Sequence, residues 1–544
     1  MKRLVSAALA VSMLAAGCAK VAQTGGTGAE SNSWTKPHVL TYADAFDVNT
    51  LNPHLGQSGQ VEAIAQMTAA YLLRWDEHNN PYPELATEIP TQANGGVSKD
   101  GLTITYHLRQ GVKWSDGAPF DADDVVFSTH VVLNPANDEA STQGWDRITK
   151  IDEPDKYTVV YHLSKPYSPF VETFFATAGA NPCILPKHLL AKYPNINNVP
   201  YNSKPVGIGP FMVERWDRQQ QVVLVANPLY WRGRPKLAKI IYKIVPDRNT
   251  LLALVQTHDV DLWNLVGGAY LARVKAIPGY TVLRQPGYYW NNFDFNLEHA
   301  VVKELAVRQA LRLAFPRAEI QAKIGHGLGT LSDSPTSPTA PYFVKDVSLV
   351  PYDIAAANEI LDKAGWVRGA DGVRAKNGLR LNIVLITNAG SPDTDNQIEL
   401  IRQSWQKIGV TLDVLHSPPP LYFAPAKEGG VVYGNKFDVV LLAWENEAIG
   451  DYSQIYGCDA FPPKGQNVPR WCNPAAEKAM TDLYSHYDQV DRNKDVATFV
   501  HQLVHDVPVI VTLQREDVYG YNSDLKNFHP NSITQFDNMM DVDI

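Results

Sequence analysis

The sequence is poor in cysteine and has no strongly basic segment. It contains 4 Cys in 544 residues, and neither these nor the 15 His have the spacing of a zinc site. No run of Lys or Arg exceeds two residues and the formal net charge is −9, so the electrostatic footprint of a nucleic-acid-binding protein is missing. We therefore expect no nucleic-acid partner and no metal site.

The chain also lacks the short motifs of common enzymes. There is no Gly-x-Ser-x-Gly elbow, no His-Glu-x-x-His helix and no Gly-x-x-x-x-Gly-Lys-Ser/Thr loop. The glycine-rich run Gly325–Gly329 lacks the spacing of a dinucleotide fingerprint and follows a helical pattern. These absences predict a protein that is not an enzyme and needs no cofactor, with a hydrolase as the weaker alternative.

Long apolar runs are missing beyond the N-terminus, so no transmembrane helix is predicted there. Residues 1–18 have the profile of a signal peptide, with basic Lys2 and Arg3 followed by an apolar stretch. The stretch ends in Leu-Ala-Ala-Gly-Cys, which resembles the bacterial lipobox and predicts lipidation of Cys18. Leu14 stands four residues before the cysteine instead of the usual three, which leaves ordinary signal-peptidase cleavage as the alternative.

Residues 19–36 offer little apolar surface to bury, which predicts a flexible tether. A lipid, a tether and a globular body together predict an exported protein, either periplasmic or on the cell surface. The lipid would then be its only contact with the membrane.

The rest of the chain has a globular composition, with 45% apolar and 19% charged residues. Its length exceeds what one hydrophobic core usually serves, so at least two lobes are expected. Apolar runs such as His38–Tyr42, Leu379–Ile386 and Phe437–Ala443 alternate with the helical patterns Ile354–Ala364 and Asn396–Ile408. This alternation predicts an α/β architecture.

Residues 101–161 follow a different pattern. Thr103–Leu108 and Tyr157–Leu163 alternate apolar with polar residues, as antiparallel strands open to water on one face do. A short helix, Ala122–Leu133, is predicted between them with Asp121 as its N-cap. This segment therefore predicts a smaller inserted α+β subdomain.

Two cysteines are candidates for a disulfide. Cys458 and Cys472 enclose a segment rich in Pro, Gly and Asn, and an exported chain can oxidise them. Closing a loop of about 15 residues would stabilise the fold by roughly 3 kcal/mol. The alternative is a pair of reduced, buried cysteines. Cys183 has no obvious partner and is expected to be a small buried apolar residue.

A longer motif resembles a known family. The run Gly101–Phe120, continued by Asp121–Ser128, is similar to the signature of the extracellular solute-binding proteins, family 5. Further landmarks of that family stand in the same order: Leu51–His54, Pro205–Phe211, Asn227–Trp231, Val307–Leu311 and Trp471–Pro474. The signature itself is rich in turn glycines and large apolar rings, and we expect Trp114 and Phe120 to pack a core.

The resemblance implies a two-lobed fold of the type II periplasmic-binding-protein class, cluster C-like, with a hinge between the lobes. The implied boundaries are 37–69, 201–286 and 509–544 for lobe I, 70–200 for its inserted subdomain, and 287–508 for lobe II.

The implied function is the substrate-binding component of an ABC importer that captures short peptides in a closing cleft. The permease and ATPase would be separate chains, and the binding protein a monomer. A non-peptide solute such as a metal chelate, a sugar or haem is the alternative, and a structural lipoprotein is a weaker one.

The resemblance also suggests where a ligand amine would bind. Peptide-binding relatives place an Asp three residues after the Trp that matches Trp444, and this Asp pairs with the α-ammonium of the peptide. Glu447 holds that position here, and Asp451 follows four residues later. Asn446 lies in the same loop. The alternative is that both carboxylates are solvated loop residues.

Two further segments are expected near the ligand. The strand containing Tyr288, Trp290 and Asn291 matches the entry to lobe II, beside the hinge, where an extended peptide could bond to the backbone. Dipeptide-binding relatives carry a carboxylate-binding Arg just after the strand that matches Leu379–Ile386. This sequence has Asn388 there instead, which favours a longer peptide or another solute.

Overall fold

The computed structural model describes residues 31–56, 58–139, 142, 144–177, 182–424, 426–446 and 449–544. The predicted signal peptide, the lipidation site Cys18, the first part of the tether and Glu447 lie outside the described residues. Every helix in these ranges is too short or too polar to cross a lipid bilayer.

The strands are short except for two. They are β1 Val39–Asp44, β2 Leu73–Trp75, β3 Pro81–Pro83, β4 Thr103–His107, β5 Ile148–Asp155, β6 Thr158–Leu163, β7 Phe211–Asp217, β8 Gln221–Ala226, β9 Lys239–Ile244, β10 Leu262–Trp263, β11 Tyr280–Phe295, β12 Thr330–Leu331, β13 Val367–Arg368, β14 Arg374–Lys376, β15 Leu379–Arg380, β16 Asn382–Asn388, β17 Thr411–Ser417, β18 Val439–Glu445 and β19 Val509–Asn522.

The helices lie mostly between these strands. They are α1 Gly59–Thr68, α2 Ala122–Leu133, α3 Pro169–Thr173, α4 Lys187–Leu190, α5 Arg248–Gln256, α6 Gly268–Lys275, α7 Leu305–Leu313, α8 Arg317–Lys323, α9 Ile354–Lys363, α10 Pro392–Gln406, α11 Pro419–Tyr422, α12 Ser453–Tyr456, α13 Pro474–Leu483 and α14 Gln489–Asp506.

One mixed sheet of 11 strands runs through the molecule in the order β17-β16-β18-β11-β19-β10-β1-β9-β8-β7, with β12 also paired to β19. Its two long strands, β11 and β19, are antiparallel and hydrogen bond to each other on both sides of a register shift between Pro286 and Trp290. On one side of this shift the sheet continues into β10 and β1, and on the other into β18 and β16. The predicted α/β class and two-lobed fold are confirmed.

The long apolar run before Trp444 forms a central strand, as predicted. β18 pairs with β11 on one side and β16 on the other, and Val439 and Val440 are both fully buried on opposite faces. The predicted helix Ile354–Ala364 is observed as α9, and Gly365 follows it with a φ of +82°. α10 begins at Pro392, four residues before the predicted start, because Ser391 caps it and proline fits the first turn.

The inserted subdomain has its own sheet, β4-β6-β5, and its own core. Strands β4 and β6 are antiparallel as predicted, while β5 was not predicted. Asp121 caps α2 and takes part in a capping box with Asp124. Trp114 and Phe120 are buried in the subdomain core, which confirms that the signature motif has a structural role.

The core of lobe I joins the two ends of the described chain. It packs residues of β1 and α1 against Tyr519, Phe536 and Ile544, and the amide of His38 donates to the carbonyl of Ile544 at 3.2 Å. Separate clusters of buried residues fill lobe II on both faces of its sheet. The residue boundaries that the resemblance implies for the lobes stay a prediction.

The cysteines have the arrangement expected from the sequence. Cys458 and Cys472 are joined by a disulfide, and Cys183 is buried with a free thiol. The carbonyl oxygen of Cys183 lies 2.7 Å from the Nε2 atom of His54, whose Nδ1 pairs with the buried carboxylate of Glu139.

A buried ion-pair network ties the C-terminal segment to the rest of the protein. Arg74 donates to the carboxylates of Glu84 and Asp537 and to the carbonyl of Gln66. Burial raises the pKa of both carboxyl groups, and the Arg74 guanidinium opposes that rise. Two buried acids therefore depend mainly on one directly bonded cation, with a weaker contribution from the charge of Arg232.

We expect Arg74→Leu to be among the most destabilising single changes. Removal of Arg74 leaves two buried carboxylates without the guanidinium that bonds to them and with only the weaker influence of Arg232, which lowers the free energy of unfolding by about 3–5 kcal/mol. Lys323→Leu is the control, because Lys323 forms an exposed pair with Glu319 on α8 and such pairs contribute roughly 0–1 kcal/mol. Urea unfolding measures both. Equal midpoints for the two variants would contradict the role of Arg74.

Candidate functional site

The site is organised by the irregularity in the crossing strands. Between Pro286 and Trp290 the pairing of β11 with β19 changes register, and Tyr288 lies in this interval. A Cβ atom on Gly287 would stand 2.7 Å from the Oδ1 atom of Asp517, so the two strands approach closely only because residue 287 has no side chain. The Asn446 side chain donates to the Gly287 carbonyl at 3.1 Å.

A cavity of 560 Å³ opens beside this irregularity, and we call it the hinge cavity. It is lined by the start of α1, residues 265–268, Tyr289 of β11, residues 515–518 of β19 and residues 531–533. Its volume lies within the range of about 300–1,000 Å³ that is typical of small-molecule sites.

Arg515 is a solvent-exposed arginine that lines the hinge cavity. Its Nε atom donates to the Oδ1 of Asn291 at 2.6 Å, and its guanidinium lies over the ring of Tyr289 at 5.4 Å. Its terminal nitrogens contact no carboxylate among the described residues within ion-pair distance. The surrounding protein lowers the pKa of Arg515, while Tyr289 and Asp517 oppose that effect. A positioned guanidinium is suited to binding a carboxylate.

Acidic groups stand on the other side of Tyr289. The hydroxyl of Tyr289 donates to the Oε1 of Glu445 at 3.1 Å. Glu62, on α1 of lobe I, is buried in the cavity wall, and burial together with the charge of Glu445 raises its pKa to about 8. Glu62 is therefore protonated at neutral pH, and the hinge cavity has less negative charge than its residue types suggest.

One face of the lobe II sheet is unusually polar. We call it the polar face, and it comprises Trp290, Asn292, Asp294, Asn388, Trp444 and Asn446. Asn388 is the last residue of β16 and Trp444 lies near the end of β18. Since β16 and β18 are parallel, their carboxyl ends meet at one edge of the sheet, where α/β proteins bind ligands.

Asp294 is the most deeply buried acid of the polar face. It is 0% exposed, and its Oδ1 atom accepts one long hydrogen bond, 3.4 Å, from the hydroxyl of Tyr456. Among the described residues its Oδ2 atom makes no hydrogen bond of ordinary geometry, although the Asn292 and Trp444 side chains interact with the carboxylate. Burial raises the pKa of Asp294 to about 7, while the nearby Asn292, Trp444 and Tyr456 side chains oppose the rise.

The structure brings most of the predicted ligand residues together. Trp290 and Trp444 are directly paired across β11 and β18, and Asn388 and Asn446 follow at the same edge. Asn291 points to the other side, where it holds Arg515. The ligand roles of these residues stay predictions, as do those of Tyr288 and of Glu447, which is not described.

Asp451 has a structural use. Its carboxylate is buried and accepts the amide of Ser453 at 3.0 Å, at the start of α12. Burial raises its pKa, which the hydrogen bonds of Ser453 and Tyr484 and the charge of Arg147 oppose. These contacts favour a structural role, and the predicted contact with a ligand amine stays untested.

The sequence reasoning missed four polar residues of the site: Glu62, Asn292, Asp294 and Arg515. Two of them could have been found from the sequence. Phe293 and Phe295 are core residues, and because side chains alternate along a strand, Asn292 and Asp294 must share the opposite face. The sequence around Glu62 and Arg515 does not mark either residue as part of a site. Only the tertiary fold brings α1 and β19 next to Tyr289.

Comparison with known proteins places this geometry in a family. The family model described as "Bacterial extracellular solute-binding proteins, family 5 Middle" matches residues 80–460. The oligopeptide-binding protein AppA of Bacillus subtilis is 26% identical over 460 residues, which cover 82% of this chain and 80% of AppA. Di/tripeptide-binding protein 1 of Pseudomonas aeruginosa is 26% identical over 448 residues, 76% of this chain and 78% of that protein.

Solved structures show the same fold. NikZ from Campylobacter jejuni, in complex with Ni(L-His), superposes with a TM-score of 0.77 at 24% identity. The match covers 94% of this chain and 100% of NikZ. The two-lobed architecture described above is therefore shared along nearly the whole chain.

We expect Asp294→Asn to change the pH dependence of stability. Because the folded-state pKa of Asp294 is raised, the folded protein keeps a proton that the unfolded chain loses, so the wild type loses stability between about pH 4 and pH 7. The loss is at most ~4 kcal/mol, at about 1.4 kcal/mol for each pH unit in that window. The Asp294→Asn variant has no titrating group at this position, so it should not show this loss of stability with rising pH. Urea unfolding of both proteins from pH 4 to pH 8 measures the difference, and parallel profiles would contradict it.

Proposed function

The chain belongs to the bacterial extracellular solute-binding proteins, family 5, and on that basis we propose that it captures short peptides for an ABC importer. The hinge cavity and the polar face of lobe II form the binding site. Closure of the two lobes around the crossing strands retains the peptide until the protein meets the permease. The protein itself catalyses no reaction.

The rest of the importer and the attachment to the membrane are part of the same proposal. The permease and the ATPase are separate chains, and the binding protein acts as a monomer outside the cytoplasmic membrane. Residues 1–18 direct export, and a lipid on Cys18 anchors the protein through a tether that is shorter than the predicted 19–36. Asn32 and Thr35 bond to Asp524 and Trp34 stacks on His258, so these residues belong to the folded body. The Cys458–Cys472 disulfide agrees with an oxidising compartment.

The position of Arg515 is the observation on which the assignment of a peptide ligand rests. Peptide carboxylates need a basic partner, and the position after β16 that supplies it in dipeptide-binding relatives is Asn388 here. Arg515 places a guanidinium in the hinge cavity, held by Asn291 and Tyr289, and it forms no ion pair with a carboxylate of the described residues. In this proposal Arg515, on the crossing strand β19, is the partner of the peptide carboxylate. Trp290, Trp444 and Asn446 would then line the path of the peptide, and Glu447 would meet its α-ammonium.

A metal chelate is the second candidate ligand. Arg248 also lines the hinge cavity, so two arginines face a space in which Glu62 is uncharged at neutral pH. A chelate with several carboxylates would satisfy both cations. NikZ, which has the same fold, was solved with Ni(L-His).

Native mass spectrometry of the protein isolated from its own host distinguishes these candidates. A series of masses that match short peptides supports the proposal. A single non-peptide mass keeps the transport role and replaces the peptide by another solute. Small-angle scattering with the identified ligand should show compaction, and its absence would contradict lobe closure.

We expect Arg515→Gln to weaken the binding of peptides with a free C-terminus. Loss of a charged hydrogen-bonding partner corresponds to roughly 1.5–3 kcal/mol, or about 10- to 150-fold in Kd. Isothermal titration with Ala-Ala-Ala and its C-terminal amide measures the effect. The wild type should prefer the free acid, and the variant should bind both alike.

Arg402→Gln is the matched control for this experiment. Arg402 is the first basic residue after β16, but it lies on α10 and bonds to Glu399 and to the Leu412 carbonyl. Its replacement should leave the preference unchanged. If Arg402→Gln removes the preference and Arg515→Gln does not, the assignment of the carboxylate partner is wrong.

A further inference from the structure

The polar face of lobe II has an unusual concentration of buried polar atoms without partners. Seven such atoms belong to its six residues: the indole nitrogens of Trp290 and Trp444, both amide atoms of Asn292, and one oxygen each of Asp294, Asn388 and Asn446. A buried polar atom without a hydrogen bond is destabilising, so native proteins contain few of them. Seven on one sheet face indicate that a polar occupant belongs there.

The composition of this set indicates what the occupant must offer. Four of the seven atoms are oxygens, and the orientation of Asn446 is fixed because its nitrogen already donates to the Gly287 carbonyl. Asp294 supplies the only ionisable group among the six residues. A positively charged donor such as an ammonium group fits the four oxygens, while the three N–H donors need an acceptor from the rest of the ligand, such as a peptide carbonyl.

The depth of Asp294 limits the kind of ligand that reaches it. Trp290 is paired with Trp444 near the edge of the sheet, and Asp294 is four residues further along β11, paired with Val440. At about 3.4 Å for each residue, Asp294 lies about 13 Å below that edge. Trp444 and Asn388 are half-buried at the edge, and Tyr422 and Tyr456 lie near Asp294 from the helices that cover it. A long side chain reaches this depth more easily than the main chain of a peptide.

We propose that the polar face binds the cationic end of a long ligand side chain, with Asp294 as its ionic partner. This inference rests on the proposed peptide function and adds a preference for basic residues such as lysine. Asn292 and the two indoles orient the ligand, and Asp294 supplies the charge. The ligand ammonium replaces the proton that burial holds on Asp294.

The test compares three tripeptides by isothermal titration. Acetyl-Ala-Lys-Ala carries only a side-chain ammonium, Ala-Ala-Ala carries only an α-ammonium, and acetyl-Ala-Leu-Ala carries neither. The wild type should bind the lysyl peptide about tenfold or more tightly than the leucyl peptide, because a charged hydrogen bond is gained. Asp294→Asn should abolish this preference, because the amide has no charge to pair with the side-chain ammonium.

Asp261→Asn is the matched control. Asp261 is also a buried carboxylate, but it is in lobe I and already accepts hydrogen bonds from the amide of Thr41 and from Asn522. The control should keep the preference for the lysyl peptide. Thermal unfolding of each variant verifies that it is folded before titration.

Each result has a defined meaning. A wild type that does not discriminate between the lysyl and leucyl peptides, or an Asp294→Asn variant that still does, overturns the inference while peptide binding keeps the proposed function. If only Ala-Ala-Ala depends on Asp294, the ammonium site stands and its source is the α-ammonium. If no peptide binds, the proposed function fails. Thermal stabilisation of the wild type by n-butylammonium chloride, but not by n-butanol, then tests the ammonium site alone, and equal effects overturn it.

Discussion

The architecture depends on the hydrogen-bonded pair of long strands β11 and β19. These strands carry the sheet from lobe I into lobe II, and their register shift between Pro286 and Trp290 lies where the two lobes meet. Gly287 lets the strands pass close to Asp517, and Asn446 bonds to the Gly287 carbonyl from the lobe II side. Tyr289 and Arg515 stand next to this point. The elements at which the two lobes meet are therefore the same elements that hold the candidate ligand groups.

The secondary structure could be predicted well where local signals agree. The strand before Trp444, the helix that Asp121 caps and the helix that Gly365 follows were all readable from apolar periodicity and capping residues. Strand β5 was missed. Tertiary contacts could not be predicted in the same way: the side chain of Glu304, just before α7, accepts hydrogen bonds from Trp366 and Lys376, which are more than 60 residues away in the sequence.

The site was only partly predictable, for a physical reason. Trp444, Asn446 and Asn388 lie at or just after the carboxyl ends of strands, so their common edge could be inferred from the α/β pattern. Arg515 is more than 60 residues away in sequence from all of these, and its neighbours suggest only a strand. Antiparallel pairing of β11 with β19 brings Arg515 next to Tyr289, and the apolar periodicity of a sequence does not predict which strands pair. The charge of the cavity could not be predicted from the sequence, because the raised pKa of Glu62 depends on its burial and on the nearby Glu445.

The core of lobe I has a consequence for the order in which the protein folds. Residues 519–544 fill that core against β1 and α1, and Asp537 completes the network around Arg74. During synthesis the first segments of lobe I therefore have no finished interior to fold onto. The inserted subdomain and lobe II have cores of their own and are free to fold first, although domains commonly fold from the N-terminus. Lobe I, which begins the chain, is then the last part to become stable.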